Sequence, residues 1–466
     1  MKLSYFIILV IISFVTATSC KRSESSQPQA NNRVLPTPQQ VKWANAQIGV
    51  IIHLDIDIFA PNTYKNGVKS TLPPLSVFTP SKLNTDQWIK TAKSAGAKYA
   101  ILVAKHNTGF ALWPTKANNY NVSNTPWENG KGDIVADFIK SCRKYGIKPG
   151  IYYSVNSNTL YGAGNGDQMS DSARTRYNHV VLEQLKELWT NYGKLFEIWF
   201  DGGIRPTSKG GVSKQIAAMV KKYQPHAILF QGPASSPNLI RWVGNERGDA
   251  PYPMWSRTDT TTHSKGMVAI KGLHGNPNGD IWAPAESDFP SRKKSAWKGG
   301  WFWRANRKQE VISLATMVHR YYTTVGRNTN MLIGMAIDTA GRFPAKETHL
   351  FARFGKIINK RFSHSIAQTK GRGSQFVLKL GKHPKKINQI VIKENIAKGE
   401  RIRKYVVQAR MKSQWETVCK GISVGHERIQ TFKPVQTKKL RLKILKSSHK
   451  PILKKFAAYF LNNLND

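Results

Sequence analysis

Short apolar runs recur along most of the chain, separated by segments whose apolar residues are spaced as on one face of a helix. Parallel strands that are buried on both faces read as nearly continuous apolar runs, not as alternating ones. Eight such runs are candidate strands: 48–53, 99–105, 149–154, 195–201, 227–232, 242–246, 280–286 and 330–335. Since eight parallel strands close naturally on themselves, the pattern predicts an α/β fold with a (β/α)8-like barrel.

The predicted helices between these runs carry recognisable ends. Helical patterns cover 84–96, with Asn84 as N-cap, 133–146, with Gly146 at the end, and 309–325. The interval from 227 to 246 has no room for a full helix between two strands. We therefore expect a distorted or incomplete barrel.

After Arg361 the pattern changes to short β-type runs broken by turn residues: 375–380, 387–393, 405–410, 415–418 and 439–445. Such spacing favours an antiparallel β-sandwich. We predict a catalytic barrel over 37–361 and a β-sandwich domain over 362–466. The second domain is strongly basic, because residues 362–466 contain 24 Lys and Arg against five Asp and Glu.

The N-terminus has the composition of an export signal. Lys2 precedes an apolar run over 5–15 that is too short to span a bilayer, and small residues then lead to Cys20. This cysteine resembles the lipid-attachment site of bacterial lipoproteins. We expect a signal peptide over 1–20, lipidation at Cys20 and a polar tether over 21–36. The protein would be exported, periplasmic or at the cell surface, with membrane contact only through the lipid anchor.

The formal net charge of +44 indicates that polyanions concentrate near the protein. Nucleic acid is disfavoured as a partner, because the export signal is present and no zinc-finger, RNP-type or helix-turn-helix signature occurs. Two interpretations remain: a sulfated or carboxylated polysaccharide partner, or a generally basic proteome without a dedicated partner. The sequence does not indicate the oligomeric state.

Cysteine and histidine spacing gives no sign of a metal or cofactor. Outside the signal only Cys142 and Cys419 occur, far apart in sequence, so we expect no disulfide framework. No clustered Cys/His set or H-E-x-x-H spacing is present. We therefore predict no metal ion and no cofactor.

One candidate catalytic carboxylate ends an apolar run. Residues 195–200 are mainly apolar, Asp201 follows, and Gly202 and Gly203 then break the strand. Because the C-terminal ends of barrel strands carry the chemistry in this fold class, Asp201 is the first candidate nucleophile. The alternative is an Asp that only opens a turn.

A carboxylate nucleophile is one of the two groups used in glycoside hydrolysis. A second carboxyl group is needed to pass a proton to and from the glycosidic oxygen. Glu246 and Glu286 both end short strand-like pieces near a tryptophan, which would raise the pKa of either group by desolvation. The alternative is a surface carboxylate with a basic neighbour such as Arg247. His53 and His106 also end strand-like runs and can donate to sugar hydroxyls, although either can be a structural residue.

A set of motifs identifies a family resemblance. They are Lys105–Pro114 (KHNTGFALWP), Gly130–Asp133 (GKGD), Cys142–Gly146 (CRKYG), Gly150–Ser154 (GIYYS) and Glu197–Gly202 (EIWFDG). In this order and spacing the chain resembles the α-L-fucosidases of glycoside hydrolase family 29 over about residues 40–360. The region after 361 resembles the C-terminal β-sandwich of that family.

The resemblance implies a retaining exo-glycosidase that releases terminal α-L-fucose, with Asp201 as nucleophile. It favours Glu246, in a Gly-Asn-Glu motif, as acid/base, and leaves Glu286 as second choice or sugar contact. It also implies fucose contacts at three residues: His53, His106 and Trp113, the last of which could equally be a core residue. The predicted substrate contacts are completed by Asn107, Tyr153 and Trp242, which lie in or beside the same motifs.

Two departures from the family pattern leave the exact sugar open. His106-Asn107-Thr108-Gly109 stands where family members commonly have His-His-Asp-Gly, and 289–294 replaces a usual Ser-Ile-Arg-Pro-Gly run. The substrate could therefore be fucose, a sulfated fucose of an algal polysaccharide, or α-L-galactose. A further alternative is a catalytically inactive glycan-binding protein at the cell surface.

Overall fold

The computed structural model describes residues 34–61, 63–164, 169–234, 236–262, 268–269, 274–293, 300–305 and 310–462. Eight parallel strands form a closed barrel. Twelve strands precede the sandwich within these ranges, and the barrel uses β1 (Ile48–His53), β2 (Tyr99–Lys105), β3 (Lys148–Tyr153), β4 (Glu197–Trp199), β5 (Ile228–Phe230), β6 (Leu239–Trp242), β11 (Ala285–Pro290) and β12 (Asn330–Ala336). The remaining four are β7 (Arg257–Thr258), β8 (Thr261–Thr262), β9 (Val268–Ala269) and β10 (Ile281–Trp282).

The barrel closes where β1 pairs with β12 on one side and with β2 on the other. Its strands are almost wholly buried, as expected for a sheet covered on both faces. The predicted fold class is thus confirmed, with one irregularity where it was expected, because β5 and β6 are joined without an intervening helix.

Helices lie between the barrel strands, and two of them have the predicted capping residues, whereas the helix predicted over 309–325 is the shorter Leu314–Thr323. The described helices are α1 (Pro38–Ala44), α2 (Thr85–Ser94), α3 (Ile134–Tyr145), α4 (Asp171–Thr190), α5 (Ser213–Tyr223), α6 (Leu314–Thr323) and α7 (Ala345–Phe362). The side chain of Asn84 accepts a hydrogen bond from the backbone of Gln87 at the start of α2. Gly146 ends α3 in the left-handed conformation, with φ of 70°.

Two predicted strand positions are wrong by several residues. The sixth barrel strand ends at Trp242 instead of beginning there. The seventh lies at Ala285–Pro290, whereas Ile281–Trp282 pairs antiparallel with Arg257–Thr258 outside the barrel. Apolar patterning missed the seventh strand because its buried positions include Glu286, Ser287 and Asp288. These polar groups are accommodated by hydrogen bonds inside the barrel, which sequence periodicity does not reveal.

The C-terminal region forms two four-stranded antiparallel sheets. Its strands are β13 (Ala367–Arg372), β14 (Gln375–Lys379), β15 (Lys385–Glu394), β16 (Ile402–Met411), β17 (Gln414–Gly421), β18 (Arg428–Thr437), β19 (Lys439–Ser447) and β20 (Ile452–Tyr459). One sheet has the order β13-β20-β15-β18 and the other β14-β19-β16-β17. Five of these strands match the predicted runs. The other three, β13, β18 and β20, were not predicted because polar and basic residues interrupt their apolar pattern.

Buried polar contacts join the sandwich to the barrel domain. The carboxylate of Glu400 accepts hydrogen bonds from the backbone and hydroxyl of Ser256 and from Asn328. Tyr322 donates to Gln389 over 2.8 Å. These contacts favour one orientation of the sandwich against the barrel, because separation would leave the Glu400 carboxylate without its donors.

Three sequence expectations concern other features of the chain. Cys142 and Cys419 are both free thiols, the first buried and the second half-buried. The predicted signal, Cys20 and most of the tether lie outside the described residues. Within the described part of the chain, no helix is both long and apolar enough to cross a bilayer.

Candidate active site

The C-terminal ends of the barrel strands bring together polar side chains that are distant in sequence. His53 ends β1, His106 follows β2, Tyr152 lies at the end of β3, and Asp201 lies two residues after β4. Glu246 lies in the loop after β6. After Asp201 the chain turns through Gly202 and Gly203, both with positive φ (65° and 75°), a conformation that favours glycine.

The carboxylate of Asp201 is held by a tyrosine. The phenol of Tyr152 donates a hydrogen bond of 2.7 Å to Oδ2 of Asp201. The Tyr152 ring is nearly parallel to the imidazole of His106, at 5.7 Å, and to the indole of Trp199, at 5.3 Å. Burial and the negative charge of Asp201 raise the pKa of Tyr152 well above its usual value. The phenol therefore stays a proton donor and fixes the orientation of the carboxylate.

The pKa of Glu246 is shifted toward neutral pH. Burial raises its pKa to about 6, and the negative charge of Asp201 acts in the same direction. A side-chain hydrogen bond from Trp301 has the opposite effect, because it stabilises the ionised carboxylate. The electrostatic interaction of Glu246 with both Asp201 and Tyr152 indicates that these three groups face one region.

The two predicted histidines meet in an aromatic cluster. His53 stacks on Trp301 with ring centroids 5.0 Å apart and contacts Phe302 edge-on at 5.1 Å. His106 contacts the same Phe302 at 4.9 Å. Burial lowers the pKa of His53 to about 3 and that of His106 well below its usual value. Both imidazoles are therefore neutral at physiological pH, so each can donate one hydrogen bond and accept another.

A buried polar network supports the loops around this cluster. Thr108 donates to both carboxylate oxygens of Asp55, at 2.7 and 2.9 Å. Arg304 forms an ion pair with Asp57. Lys105 is buried nearby and donates to the carbonyl of Ser157, and burial lowers its pKa to about 7. These contacts fix the loops after β1 and β2, and the charge of Asp201 favours the protonated form of Lys105.

Two predicted substrate contacts are packing residues in the structure. Tyr153 is fully buried, and its phenol donates to Gln184 of α4 over 2.7 Å. Its neighbour Tyr152 points into the barrel, because successive side chains of a strand face opposite sides. Trp113 is 1% exposed and donates to Glu187 of the same helix. Both predicted residues therefore contact the helical layer instead of Asp201.

Glu286 lies within the barrel instead of beside Asp201. It is fully buried and accepts hydrogen bonds from Tyr99, at 2.6 Å, and from Trp199, at 2.9 Å. It also shares a hydrogen bond with Glu197, and burial raises the pKa of both carboxyls. The indole of Trp199 thus contacts Glu286 through its N–H and Tyr152 through its ring face. Glu286 therefore holds Trp199 in place from the barrel interior, and Trp199 in turn contacts Tyr152.

The remaining predicted contacts lie at strand ends, because Trp242 ends β6 and Asn107 is two residues after β2. Trp242 is half-buried and donates to the buried carboxyl of Asp288 over 2.7 Å. Asn107 is also half-buried, and its backbone carbonyl accepts a hydrogen bond of 2.7 Å from Thr159. Among the described residues, no three His, Cys, Asp or Glu side chains are grouped as metal ligands would be.

Sequence reasoning missed Tyr152, Trp301 and Phe302. The first was passed over because strand direction alone does not tell which of two adjacent tyrosines faces inward. The other two belong to the aromatic sequence Trp301-Phe302-Trp303, which follows two glycines. Three adjacent aromatic residues in a glycine-flanked loop are a signal that could have been recognised, since loops at this barrel face carry function.

Comparison with known proteins now identifies the family. The model of the alpha-L-fucosidase family matches residues 39–361, which is more than half of the chain. The chain belongs to the α-L-fucosidase family. The predicted resemblance is thereby confirmed, and the protein is a glycoside hydrolase.

Similar proteins align with nearly the whole chain. Alpha-L-fucosidase 1 of Arabidopsis thaliana is 28% identical over 474 residues, covering 91% of this chain and 87% of the plant protein. A crystal structure from Bacteroides thetaiotaomicron, provisionally named an alpha-L-fucosidase, has a TM-score of 0.85 at 38% identity and covers 92% of this chain and 100% of that one. A glycoside hydrolase 29 family member from an unknown rumen bacterium has a TM-score of 0.78 at 28% identity, covering 92% and 78%.

Proposed function

We propose that this protein is a retaining exo-glycosidase that releases terminal α-L-fucose from glycans by double displacement. The observation that carries the proposal is the placement of Asp201, whose carboxylate is oriented by Tyr152 and is electrostatically linked to Glu246. Double displacement at a glycoside needs two carboxyl groups with different pKa values, one as nucleophile and one as acid/base. Membership of the α-L-fucosidase family supports the choice of sugar.

In the first step Asp201 attacks the anomeric carbon while Glu246 passes its proton to the glycosidic oxygen. The carbon–oxygen bond to the leaving group breaks, and a glycosyl ester with Asp201 forms. Glu246, now ionised, then takes a proton from water, which attacks the same carbon and releases Asp201. The two inversions give net retention. A pKa of about 6 lets Glu246 serve as acid and then as base near neutral pH.

The neutral imidazoles of His53 and His106 are the proposed partners of sugar hydroxyls. The Nδ1 atom of His53 is buried and has no hydrogen-bond partner among the described residues. Trp301 stacks on His53 and donates a hydrogen bond to Glu246, so it contacts both a proposed sugar-binding residue and the proposed proton donor. Trp301 and Phe302 would supply an apolar wall for the C5 methyl group, in place of the predicted Trp113.

We further propose that the enzyme acts outside the cytoplasm, anchored by a lipid on Cys20, on fucosylated chains that include anionic ones such as sulfated algal polysaccharide. The export-type N-terminus and the charge of +44 support this proposal. A substrate screen with aryl α-L-fucoside, aryl α-L-galactoside and sulfated fuco-oligosaccharides would define the glycone. Labelling of cells with a radioactive fatty acid, compared between wild type and Cys20→Ala, would test the anchor.

Proton NMR of aryl α-L-fucoside hydrolysis tests the main proposal. We expect α-L-fucose as the first product, before mutarotation, and loss of nearly all turnover in Asp201→Ala with an unchanged circular dichroism spectrum. Release of β-L-fucose first would overturn the retaining mechanism. If no α-L-fucoside or α-L-galactoside releases free sugar, the protein is instead a glycan-binding member of the family.

A further inference from the structure

The charges of the β-sandwich are sorted between its interior and its surface. Three of its four described carboxylates are buried and satisfied by neighbouring groups: Glu394 by backbone N–H groups, Glu400 by Ser256 and Asn328, and Glu427 by Lys393. Glu416, on the edge strand β17, is the only exposed carboxylate among the described residues 362–462. The many lysines and arginines of this domain therefore have almost no acidic partners at the surface.

One sheet face collects six of these cations. In the sheet β14-β19-β16-β17, the apolar residues of each strand point into the sandwich core, so the alternate positions point outward. The strand register places six cations on this outward side, which we call the basic face: Lys379, Arg410, Lys420, Lys439, Arg441 and Lys443. Its other positions are neutral. No carboxylate occupies an outward position in the paired registers of these four described strands.

The two arginines of the basic face are held in place by uncharged neighbours. The guanidinium of Arg441 lies 4.3 Å from the ring centre of Trp415 and donates two hydrogen bonds to the amide oxygen of Gln408. Arg410 approaches the same indole at 5.6 Å. A fixed planar guanidinium suits two-point recognition of a sulfate or carboxylate group, and less side-chain entropy is lost on binding.

A like-charge pair adds to the electrostatic cost of the free sheet. Lys379 and Lys439 are directly opposite each other in the antiparallel pairing of β14 and β19. Like charges at such positions destabilise a sheet. Both side chains are exposed, and neither has an acidic neighbour on this face. A bound polyanion would relieve this repulsion. Because the cations lie on neighbouring strands, they could contact successive anionic groups of the polyanion.

We propose that the basic face binds an anionic polysaccharide, sulfated or carboxylated, at a site separate from the catalytic pocket. The one aromatic ring at its outward positions, Trp415, is already in contact with arginines, whereas proteins that bind single-stranded nucleic acid need free rings for base stacking. Because the chain belongs to a family of glycan-degrading enzymes, a glycan is the polyanion that we favour as its ligand. The inference does not depend on the roles of Asp201 and Glu246.

Affinity measurements on the full-length protein test this proposal with dextran sulfate as probe and neutral dextran as reference. The test variant carries Lys379→Gln, Lys439→Gln and Lys443→Gln. The matched control removes three exposed lysines from helices of the barrel: Lys140→Gln, Lys186→Gln and Lys221→Gln. We expect the test variant to lose about ten-fold in affinity at low salt, and the control to lose little, since each exposed ion pair contributes modestly.

Salt dependence and activity complete the test. The slope of log affinity against log salt should fall by about one for each lysine removed from the face, as for other polyanions. Hydrolysis of aryl α-L-fucoside should be the same in all variants. Equal losses in the test and control variants would overturn the proposal, because net charge alone would then explain binding. Absence of wild-type binding to dextran sulfate, or tighter face-dependent binding to DNA, would also overturn it.

Discussion

Tyr152 donates its phenolic hydrogen to Oδ2 of Asp201 over 2.7 Å, and its ring is stacked between His106 and Trp199. A tyrosine of the neighbouring strand β3, itself stacked on two aromatic rings, therefore helps to set the orientation of the candidate nucleophile. This relationship gives the first prediction.

Replacing Tyr152 by Phe removes the hydrogen bond and keeps the ring. A hydrogen bond to a charged group contributes about 1.5–3 kcal/mol, so we expect kcat on aryl α-L-fucoside to fall about 10- to 100-fold. The matched control is Tyr153→Phe, which loses only a hydrogen bond to Gln184 on the helical side. Equal losses of kcat in the two variants would contradict a positioning role for Tyr152.

The second prediction concerns the alkaline side of the pH profile. Glu246 must carry its proton in the first step, so kcat/KM for an unactivated fucoside should decline as the pH rises through about 6. Trp301→Phe removes a hydrogen bond that stabilises the ionised form, so the pKa of Glu246 should rise and the decline should move to higher pH. A shift to lower pH would show that the hydrogen bond is not the controlling contact.

Asp201→Asn provides a control of opposite sign for this pH effect. Without the negative charge of Asp201, the pKa of Glu246 should fall. Because this variant is expected to be inactive, its titration is followed by carbon NMR of labelled glutamate, with Glu246→Gln to assign the resonance. An unchanged pKa would mean that the two carboxyls do not face each other.

The third prediction separates the two catalytic roles by the product formed with azide. In Glu246→Ala, azide replaces the water that attacks the glycosyl ester, so an activated fucoside should yield α-L-fucosyl azide. In Asp201→Ala, azide replaces the nucleophile and should yield the β anomer. Glu286→Ala should show no rescue, because its side chain is buried beneath Trp199. Rescue in Glu286→Ala would transfer the acid/base role to that residue.

The fourth prediction concerns stability and the buried Glu197–Glu286 pair. Burial raises the pKa of Glu286 from 4.5 to about 7, so the folded protein holds a proton that the unfolded chain loses near 4.5. The stability contributed by this group is complete below 4.5 and is lost as the pH rises through about 7. In Glu286→Gln this loss is removed, so the free energy of unfolding should fall less over that range.

Urea denaturation below pH 4.5 and above pH 7 measures this difference. Glu183→Gln, a half-buried glutamate on α4, is the control and should keep the wild-type pH dependence. A wild-type profile in Glu286→Gln would show that the proton resides elsewhere in the pair.

Much of the fold is determined by local sequence. Continuous apolar runs predicted most barrel strands, because strands buried on both faces need apolar side chains at every position. Asn84 and Gly146 predicted helix ends, because capping is a contact within one turn of chain. The seventh strand was misplaced because Glu286 and Asp288 are buried with partners that lie far away in sequence, including Tyr99 and Trp242.

The sequence by itself determined which residue types end the strands, and so named Asp201, Glu246, His53 and His106 as neighbours at one barrel face. Only the tertiary structure decided which of Tyr152 and Tyr153 contacts Asp201, and that Glu286 lies in the barrel interior. It also decided that Trp301 reaches both His53 and Glu246. The physical reason is that the position of a strand depends mainly on residues nearby in sequence. The direction of a side chain and its partners depend on barrel closure, which brings together groups hundreds of residues apart.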